Sequence, residues 1–299
     1  MKKRKSLFAK IVTLYLKCTT KRKSNVSKES EIKRLNKIKR QGEKEYNIPK
    51  FVTFHSTLEK TTYNGMVVYT LNGKSKVKKT IFYFHGGGYI NQPLSFHWRF
   101  VDKLSTKSDA KIIFPLYPLA PFHNFRETYN LLFNLYSDYI KHNTDEEIIF
   151  MGDSSGGGLA LGLYANLIEN KIKTPDKTIV LSPWVDIATD NSEMKRYQKK
   201  EARLIISTVQ VWGEFWAAKS EHKNYMVSPL YYSKLNKLKN VSVFVGTDEI
   251  LYPDIIEFYN KLSPKNNCKL IVEEGMNHVY PLYPIKEAKA SLNIILDII

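Results

Sequence analysis

The chain has 299 residues and a net charge of +17 at pH 7. This length suits one large α/β domain with a buried core, and no internal repeat or Gly/Ser/Pro-rich linker divides it. The two cysteines, Cys18 and Cys268, are far apart and have no metal-ligand spacing. Their number and spacing favour a reduced, cytoplasmic setting over a disulfide-built scaffold.

The positive charge is concentrated at the amino terminus. Residues 1–50 hold 17 Lys/Arg and 4 Glu, a net charge of +13, whereas residues 51–299 carry only +4. The nearly neutral body argues against nucleic acid as a partner, and the basic segment leaves peripheral contact with a membrane open. We therefore divide the chain into a basic helical arm, residues 1–50, and a main domain, residues 51–299.

The arm is predicted to contain two helices, the second over residues 29–44. One face of the first helix carries Leu7, Ile11, Leu14 and Tyr15. Lys10 interrupts the apolar stretch and no small-residue cleavage site follows, which disfavours an export signal or a membrane-spanning helix. We expect the apolar face to pack on the rest of the protein. The alternative is a basic amphipathic helix on an anionic membrane.

The main domain is predicted to begin with a hairpin, in which strands over residues 51–59 and 66–71 flank a turn at Asn64-Gly65. Short apolar runs then indicate buried strands at residues 80–84, 111–115, 148–151, 178–181, 241–245 and 270–272. Helices are predicted at residues 126–142, 159–170, 254–262 and 286–299. Because unbroken apolar strands alternate with helices, we expect an α/β fold with a mostly parallel central sheet and helices on both faces.

The central feature of the main domain is a turn between a strand and a helix. The apolar run at 148–151 leads into Gly152-Asp153-Ser154-Ser155-Gly156. In such a strand–turn–helix the central Ser is held in a strained conformation with its hydroxyl exposed, and the glycines permit close packing. The following helix N-terminus favours developing negative charge. We therefore predict that Ser154 is a nucleophile.

An acid and a histidine follow Ser154 at two later strand ends. One strand ends at Gly246-Thr247-Asp248-Glu249, and His278 follows the last strand. The order Ser, acid, His is typical of a large class of serine hydrolases, in which imidazole takes the serine proton and the carboxylate fixes the imidazole tautomer. Asp248 and Glu249 are both candidates for the acid, and Asp186 is a further substitute. Surface or packing roles are expected for His55, His97, His123, His142 and His222.

The run His85-Gly86-Gly87-Gly88 follows a buried strand directly. Its glycines allow backbone N–H groups to point into a cavity with no side chains in the way. Together with the N–H of Ser155 they could bind an oxyanion. A phosphate cradle is the alternative, but such a loop is normally followed by Lys-Ser/Thr, and Tyr89-Ile90 follow here.

Six motifs in this order resemble the hormone-sensitive-lipase-like branch of the α/β-hydrolase fold. They are His85-Gly-Gly-Gly-Tyr89, Tyr117-Pro-Leu-Ala-Pro121, Gly152-Asp-Ser-Ser-Gly-Gly157, Ser182-Pro-Trp-Val-Asp186, Ser228-Pro-Leu230 and Gly246-Thr-Asp-Glu-Ile-Leu251. The resemblance implies hydrolysis of carboxylic esters without metal or cofactor. It also implies a helical cap built from the arm and from an insertion over residues 190–222, which carries Trp212, Phe215 and Trp216.

The resemblance also assigns site residues. The second and third glycines of the first motif imply an oxyanion hole made by Gly87, Gly88 and Ser155. Many members have Asp-Pro-Leu-Arg-Asp-Glu at the acid site, and the matching residues here begin at Glu249. We therefore prefer Glu249 to Asp248 as the partner of His278.

The sequence thus predicts a serine esterase or lipase-like hydrolase that acts on small-molecule carboxylic esters of short to medium chain length. An amidase or peptidase of the same fold is an alternative, and a hydrolase fold used only for small-molecule binding is another. A monomer and a homodimer are both compatible with these features.

Overall fold

The computed structural model describes residues 5–21, 27–218, 221–262 and 264–299. Eight strands form one sheet: β1 (Leu58–Tyr63), β2 (Met66–Leu71), β3 (Lys79–Phe84), β4 (Lys111–Pro115), β5 (Glu147–Asp153), β6 (Lys177–Leu181), β7 (Val241–Gly246) and β8 (Lys269–Glu273). Their order is β1-β2-β4-β3-β5-β6-β7-β8. β1 and β2 are antiparallel to each other, as are β2 and β4, and every pair from β4 to β8 is parallel.

Helices cover both faces of the sheet, which confirms the predicted fold class. They are α1 (Leu7–Lys21), α2 (Lys28–Gln41), α3 (Ser95–Ser108), α4 (Phe125–His142), α5 (Ser155–Glu169), α6 (Met194–Gln198), α7 (Ile206–Trp216), α8 (Tyr252–Lys261) and α9 (Lys286–Ile298). One core cluster joins α4, α5 and α8 to the sheet, and a second cluster joins α1, α3 and α9 to the opposite face. The parallel strands are apolar along their length because both of their faces are buried.

The hairpin turn lies where the sequence indicates, but β1 begins later than expected. Asn64 and Gly65 have φ values of 46° and 84°, the backbone that a two-residue hairpin turn requires. Tyr63 pairs with Met66, and residues 51–57 are not part of the strand. The side chains at 59–62 are exposed, so β1 lacks the alternation of apolar residues that marks a strand in the sequence.

Two helical assignments also differ from the sequence expectation. Helix α3 was not predicted at all, although it buries Trp98 and Leu104. Helix α5 begins at Ser155 rather than at residue 159, because glycines that lower helix propensity are accepted at its tightly packed first turn. The insertion, which the resemblance places in a helical cap, contains two separate helices, α6 and α7.

The arm helix α1 packs on the main domain through the face opposite to the one expected. Ala9 is buried, and Val12 and Leu16 pack partly buried against the second core cluster. The predicted face is exposed: Leu7 by 75%, Ile11 by 54% and Leu14 by 65%. The expectation that this face packs is therefore wrong. Both sides of α1 carry apolar residues, so periodicity could not decide which side meets the body.

Asp254 is a buried carboxyl in the first turn of α8. Its Oδ1 accepts a hydrogen bond from Asn191 Nδ2 at 2.6 Å, and its Oδ2 has no partner among the described residues. Burial, and secondarily the nearby Asp186 and Glu257 carboxylates, raise the pKa of Asp254 from 3.8 to about 7. The unfolded chain therefore releases this proton at lower pH than the folded chain does, and stability should fall as pH rises from about 4 to about 7.

Replacing Asp254 by Asn should remove this loss, because the amide stays neutral and keeps the acceptor for Asn191. We expect Asp254→Asn to raise the free energy of unfolding by roughly 1–3 kcal/mol at pH 8 and to change it little at pH 4. Urea unfolding at both pH values measures this. Asp190→Asn is the matched control. It removes an exposed carboxylate that contributes least to the raised pKa of Asp254, so it should leave most of the slope in place. Parallel pH profiles for Asp254→Asn and the unmodified protein would contradict the prediction.

Candidate active site

Ser154 lies at the turn between β5 and α5 with a strained backbone. Its φ and ψ are 53° and −122°, values that a residue with a side chain rarely adopts. The turn is held by backbone hydrogen bonds: Ser154 N–H donates to the Leu181 carbonyl at 2.9 Å, and the Ser154 carbonyl accepts from Trp184 N–H at 2.9 Å. A Cβ on Gly156 would lie 2.0 Å from the Phe84 carbonyl oxygen, so only glycine permits this approach of α5 to β3.

A chain of hydrogen bonds joins Ser154, His278 and Glu249. Nε2 of His278 lies 2.8 Å from Ser154 Oγ, and its Nδ1 lies 2.5 Å from Glu249 Oε2. All three side chains are buried, Glu249 completely. The other candidate acids point elsewhere. Asp248 forms an ion pair with Lys5 at 2.9 Å, and Asp186 accepts hydrogen bonds from Tyr231, Ser228 and the Ala188 backbone.

Ser182 holds the carboxylate and the histidine loop together. Its Oγ donates to Glu249 Oε1 at 2.8 Å and accepts from Val279 N–H at 3.0 Å, while Gly246 N–H donates to the same carboxylate oxygen at 3.0 Å. Sequence reasoning missed this role, although Ser182 begins one of the quoted motifs at the end of β6. Its hydroxyl therefore fixes the side chain of Glu249 and the backbone beside His278 at once.

The glycine loop after β3 lies beside Ser154. Gly87 and Gly88 have φ values of 140° and 67°, and the structure gives their N–H groups different surroundings. Gly88 N–H donates to Ser155 Oγ at 2.9 Å. The backbone N–H groups of Gly87 and Ser155 have no acceptor in the part of the chain that the structure describes. These two donors are free to bind an oxygen atom in the cavity.

Helix α7 packs directly on this loop. A Cβ on Gly88 would lie 2.2 Å from the ring of Trp212, so the indole fills the space that any side chain would need. Tyr89 stacks on Trp216 with ring centres 4.1 Å apart and planes 1° from parallel. The insertion therefore contacts the glycine loop at both Gly88 and Tyr89.

A buried polar network supports the loop from behind. Asp153 accepts hydrogen bonds from Tyr83 at 2.8 Å, from Gly86 N–H at 3.0 Å and from His97 Nε2 at 3.2 Å. Leu94 N–H donates to His97 Nδ1 at 2.9 Å, which leaves the proton on Nε2. His97 is thus part of the support of the site, which the sequence analysis did not anticipate.

His85 at the start of the loop is also buried, between His97 and Tyr117. Burial, and secondarily the neighbouring His97, lower the pKa of His85 to about 3, so its ring is neutral at pH 7. The ring stacks on Tyr117 at 4.5 Å, and the Tyr117 hydroxyl donates to the His85 carbonyl at 2.5 Å. His85 therefore packs and orients the glycine loop and is not a candidate base.

Ser154 and His278 open into a cavity of about 680 Å³. Its walls include Leu16 and Thr20 of α1, Glu31 and Arg34 of α2, and Trp212 of α7. The arm and the insertion therefore both border the cavity into which Ser154 and His278 open.

The arm helix also touches the two loops that carry Glu249 and His278. The ion pair of Lys5 with Asp248 is next to Glu249 in the chain. Asn277, which precedes His278, donates through Nδ2 to Thr13 Oγ1 at 2.7 Å. Each contact joins residues more than 240 positions apart, so no local pattern could reveal it.

Comparison with known proteins identifies the fold family. A family model described as alpha/beta hydrolase fold matches residues 81–282. An esterase of Acinetobacter venetianus is 28% identical over 193 residues, which cover 64% of this chain and 63% of that protein. The chain thus spans somewhat less than two thirds of the length of this curated relative.

Solved structures have the same architecture. A Staphylococcus aureus protein provisionally named an esterase has a TM-score of 0.85 and 25% identity, over 91% of this chain and 92% of the other. A hormone-sensitive lipase from a metagenome library has a TM-score of 0.80 and 22% identity, over 99% and 98% of the two chains. The resemblance to the fold of that branch is confirmed. Within the described ranges, no helix has the length and apolarity to cross a bilayer.

Proposed function

The chain belongs to the α/β hydrolase fold family, and we propose that it is a serine carboxylesterase that cleaves short- to medium-chain carboxylic esters through an acyl-enzyme. The observation that carries this proposal is the hydrogen-bonded chain from Ser154 Oγ through His278 to Glu249 in the wall of a cavity. A serine hydroxyl is a weak nucleophile until a base takes its proton, and this chain supplies the base and its orienting carboxylate.

In the first half of the reaction, Ser154 Oγ attacks the ester carbonyl while its proton passes to His278 Nε2. Glu249 stabilises the imidazolium and holds it in the correct orientation. The tetrahedral intermediate collapses, His278 returns the proton to the leaving alcohol, and the acyl group stays on Ser154. In the second half, His278 takes a proton from the water that attacks the acyl-enzyme, and it returns this proton to Ser154 Oγ as the acid is released.

We assign the oxyanion hole to Gly87, Gly88 and Ser155. The backbone N–H groups of Gly87 and Ser155 are the immediate donors, since neither has an acceptor among the described residues. Gly88 N–H donates to Ser155 Oγ in this structure. It therefore supports the oxyanion hole through that hydroxyl, or it donates to the oxyanion directly once the hydroxyl rotates away. Removal of a single donor of this kind typically costs about 3 kcal/mol of transition-state stabilisation.

An ester is favoured over an amide or a bound ligand. The Acinetobacter relative is an esterase, and the Ser154 and His278 side chains that a pure binding protein would not need are both present and hydrogen bonded. An amidase or peptidase of the same fold is the second candidate, and it would use the same groups.

We further propose that the arm, residues 1–50, and the insertion at about 190–222 form a cap over a catalytic domain that spans residues 51–299. Leu16 of α1, Arg34 of α2 and Trp212 of α7 border the cavity, which supports this division. Such a cap limits substrate size and excludes water.

The exposed face of α1 supports peripheral contact with an anionic membrane. Leu7, Phe8, Ile11, Leu14 and Tyr15 are each at least half exposed, which is a large apolar strip for a protein surface. The arm carries a net charge of +13. Anionic lipid complements that charge, whereas two copies joined through this face would bring two such arms together. We therefore favour a cytoplasmic, membrane-peripheral protein over a homodimer formed through α1.

The acyl-enzyme mechanism predicts covalent labelling at a single serine. A fluorophosphonate should add to Ser154, and Ser154→Ala should abolish both labelling and hydrolysis of p-nitrophenyl esters from acetate to palmitate. Ser155→Ala, which keeps the neighbouring nucleophile, is the control and should still be labelled. Full labelling of Ser154→Ala would refute the proposal. Hydrolysis of p-nitroanilides at rates equal to those of the esters would favour the amidase.

The neighbouring acids Asp248 and Glu249 form a matched pair of test sites. Glu249→Gln should lower kcat by roughly 10²–10⁴-fold, because the amide cannot stabilise the imidazolium. Asp248→Asn should change kcat by less than roughly fivefold, because its partner is Lys5 and not His278. Steady-state kinetics on p-nitrophenyl butyrate compares the two variants. The reverse ranking would show that Asp248 is the acid.

Two changes in the arm test its role in the cap and its contact with a membrane separately. Deletion of residues 1–45 should lower kcat/KM on p-nitrophenyl butyrate, since it removes a cavity wall and the contacts of Thr13 and Lys5 with the catalytic loops. Leu14→Asp should keep that activity and lose binding to phosphatidylserine-containing vesicles, because the changed side chain is 65% exposed.

Ile294→Asp is the control for the second variant, since it adds the same charge to an exposed position on α9. It should bind vesicles normally in a sedimentation assay. Full activity of the truncated protein would contradict the cap, and salt-sensitive vesicle binding that survives Leu14→Asp would contradict the role of the α1 face.

A further inference from the structure

Arg203 is a largely buried cation in the wall of the cavity, and the mechanism above does not use it. It lies in the insertion just before α7 and borders the same space as Ser154 and His278. Its Nη1 donates to the Tyr283 hydroxyl at 3.1 Å, and its guanidinium carbon lies 4.9 Å from the ring centre of Phe96. A guanidinium has five N–H donors, so most of its hydrogen-bonding capacity is left for other partners.

No carboxylate in the described part of the chain lies within 4.0 Å of the Arg203 guanidinium to form an ion pair. Glu201 is close in sequence, but its Oε1 accepts from the backbone N–H groups of Ala202 and Arg203 at 2.8 Å. Its Oε2 accepts from Ile250 N–H at 3.0 Å. Glu201 is therefore satisfied by the backbone and does not need the guanidinium.

The second arginine that borders the cavity is bound differently. Arg34 forms a two-pronged pair with Glu31, with Nε to Oε2 at 2.8 Å and Nη2 to Oε1 at 2.7 Å. Its charge is thus neutralised within the arm. Among the described residues, Arg203 is the cavity-lining arginine whose charge has no carboxylate partner.

We propose that Arg203 binds a carboxylate carried by the ester substrate, so that the enzyme prefers anionic esters such as monoesters of dicarboxylic acids. The planar guanidinium matches a carboxylate through two parallel hydrogen bonds. A cation in a largely dry site is costly to leave without an ion pair, and the Phe96 ring, the Tyr283 hydroxyl and the more distant carboxylates of Glu201 and Asp153 compensate only in part. A substrate carboxylate completes the site. This inference rests on the proposed esterase function.

The test compares pairs of substrates that differ in charge and not in size. For the acyl side, mono-p-nitrophenyl adipate is compared with p-nitrophenyl 6-methylheptanoate, in which a branched carbon replaces the carboxylate. For the alcohol side, 4-carboxyphenyl butyrate is compared with 4-nitrophenyl butyrate. Arg203→Met should lower kcat/KM by roughly 10- to 100-fold on the anionic member of one pair and by less than roughly threefold on its neutral member. The pair that responds tells which side of the ester carries the anion.

Two further variants control for structural effects. Arg203→Lys keeps the charge without the fork and should retain part of the preference. Arg34→Lys keeps the charge that is paired with Glu31 and should change both members of each pair by the same factor. The inference is overturned if Arg203→Met lowers kcat/KM by the same factor on the anionic and the neutral member of both pairs.

Failure of this inference can be told apart from failure of the esterase proposal. If the unmodified protein is labelled at Ser154 by a fluorophosphonate and hydrolyses the neutral esters, the esterase proposal stands and only the charge comparison decides the role of Arg203. If it does neither, calorimetry tests the role of Arg203 by comparing the binding of monomethyl adipate to the unmodified protein and to Arg203→Met. Binding that is equal in the two proteins overturns the inference.

Discussion

The close packing of backbone at the carboxyl ends of β3 and β5 is the constraint on which the site depends. A Cβ on Gly156 would lie 2.0 Å from the Phe84 carbonyl oxygen, and one on Gly152 would lie 2.4 Å from the Gly156 carbonyl oxygen. Because the segments are this close, the chain turns at Ser154 with φ of 53° and presents the hydroxyl to the cavity. The sheet order makes β3 and β5 neighbours, so the glycine loop and the serine turn meet.

The carboxyl ends of β6, β7 and β8 add the remaining groups of the site in spatial order. Ser182 follows β6, Glu249 follows β7 and His278 follows β8. Ser182 hydrogen-bonds to Glu249 and Glu249 to His278, whose other nitrogen contacts Ser154 after β5. A buried carboxylate is stable only when its oxygens accept hydrogen bonds, and Glu249 receives them from Ser182, Gly246 and His278. These hydrogen bonds offset the free-energy cost of burying the Glu249 carboxylate, and they also fix its orientation.

The arm and the insertion pack against the loops that carry the site residues. The ring of Trp212 occupies the space over Gly88, and the same insertion carries Arg203 and Glu201 beside the catalytic loops. From the other side, α1 contacts both of those loops through Lys5 and Thr13. Changes in either segment would thus act on the site through the position of loops as well as through the shape of the cavity.

The sequence by itself determined the elements whose signals are local. The Asn64-Gly65 turn, the apolar strands and the strand–turn–helix around Ser154 could all be predicted, because turn chemistry and periodicity act between neighbouring residues. The order of Ser154, Glu249 and His278 along the chain also pointed to the chemistry, since each follows a strand and parallel strands end at one edge.

Only the tertiary structure decided what depends on residues far apart in the chain. Periodicity could not tell which face of α1 packs, because both faces are apolar and the choice depends on Thr13 and Lys5 meeting loops more than 240 residues away. The roles of Ser182 and His97, and the unpaired charge of Arg203, likewise follow from distances between side chains on separate elements. Burial and hydrogen bonding in three dimensions set those distances, and they leave no pattern in neighbouring residues.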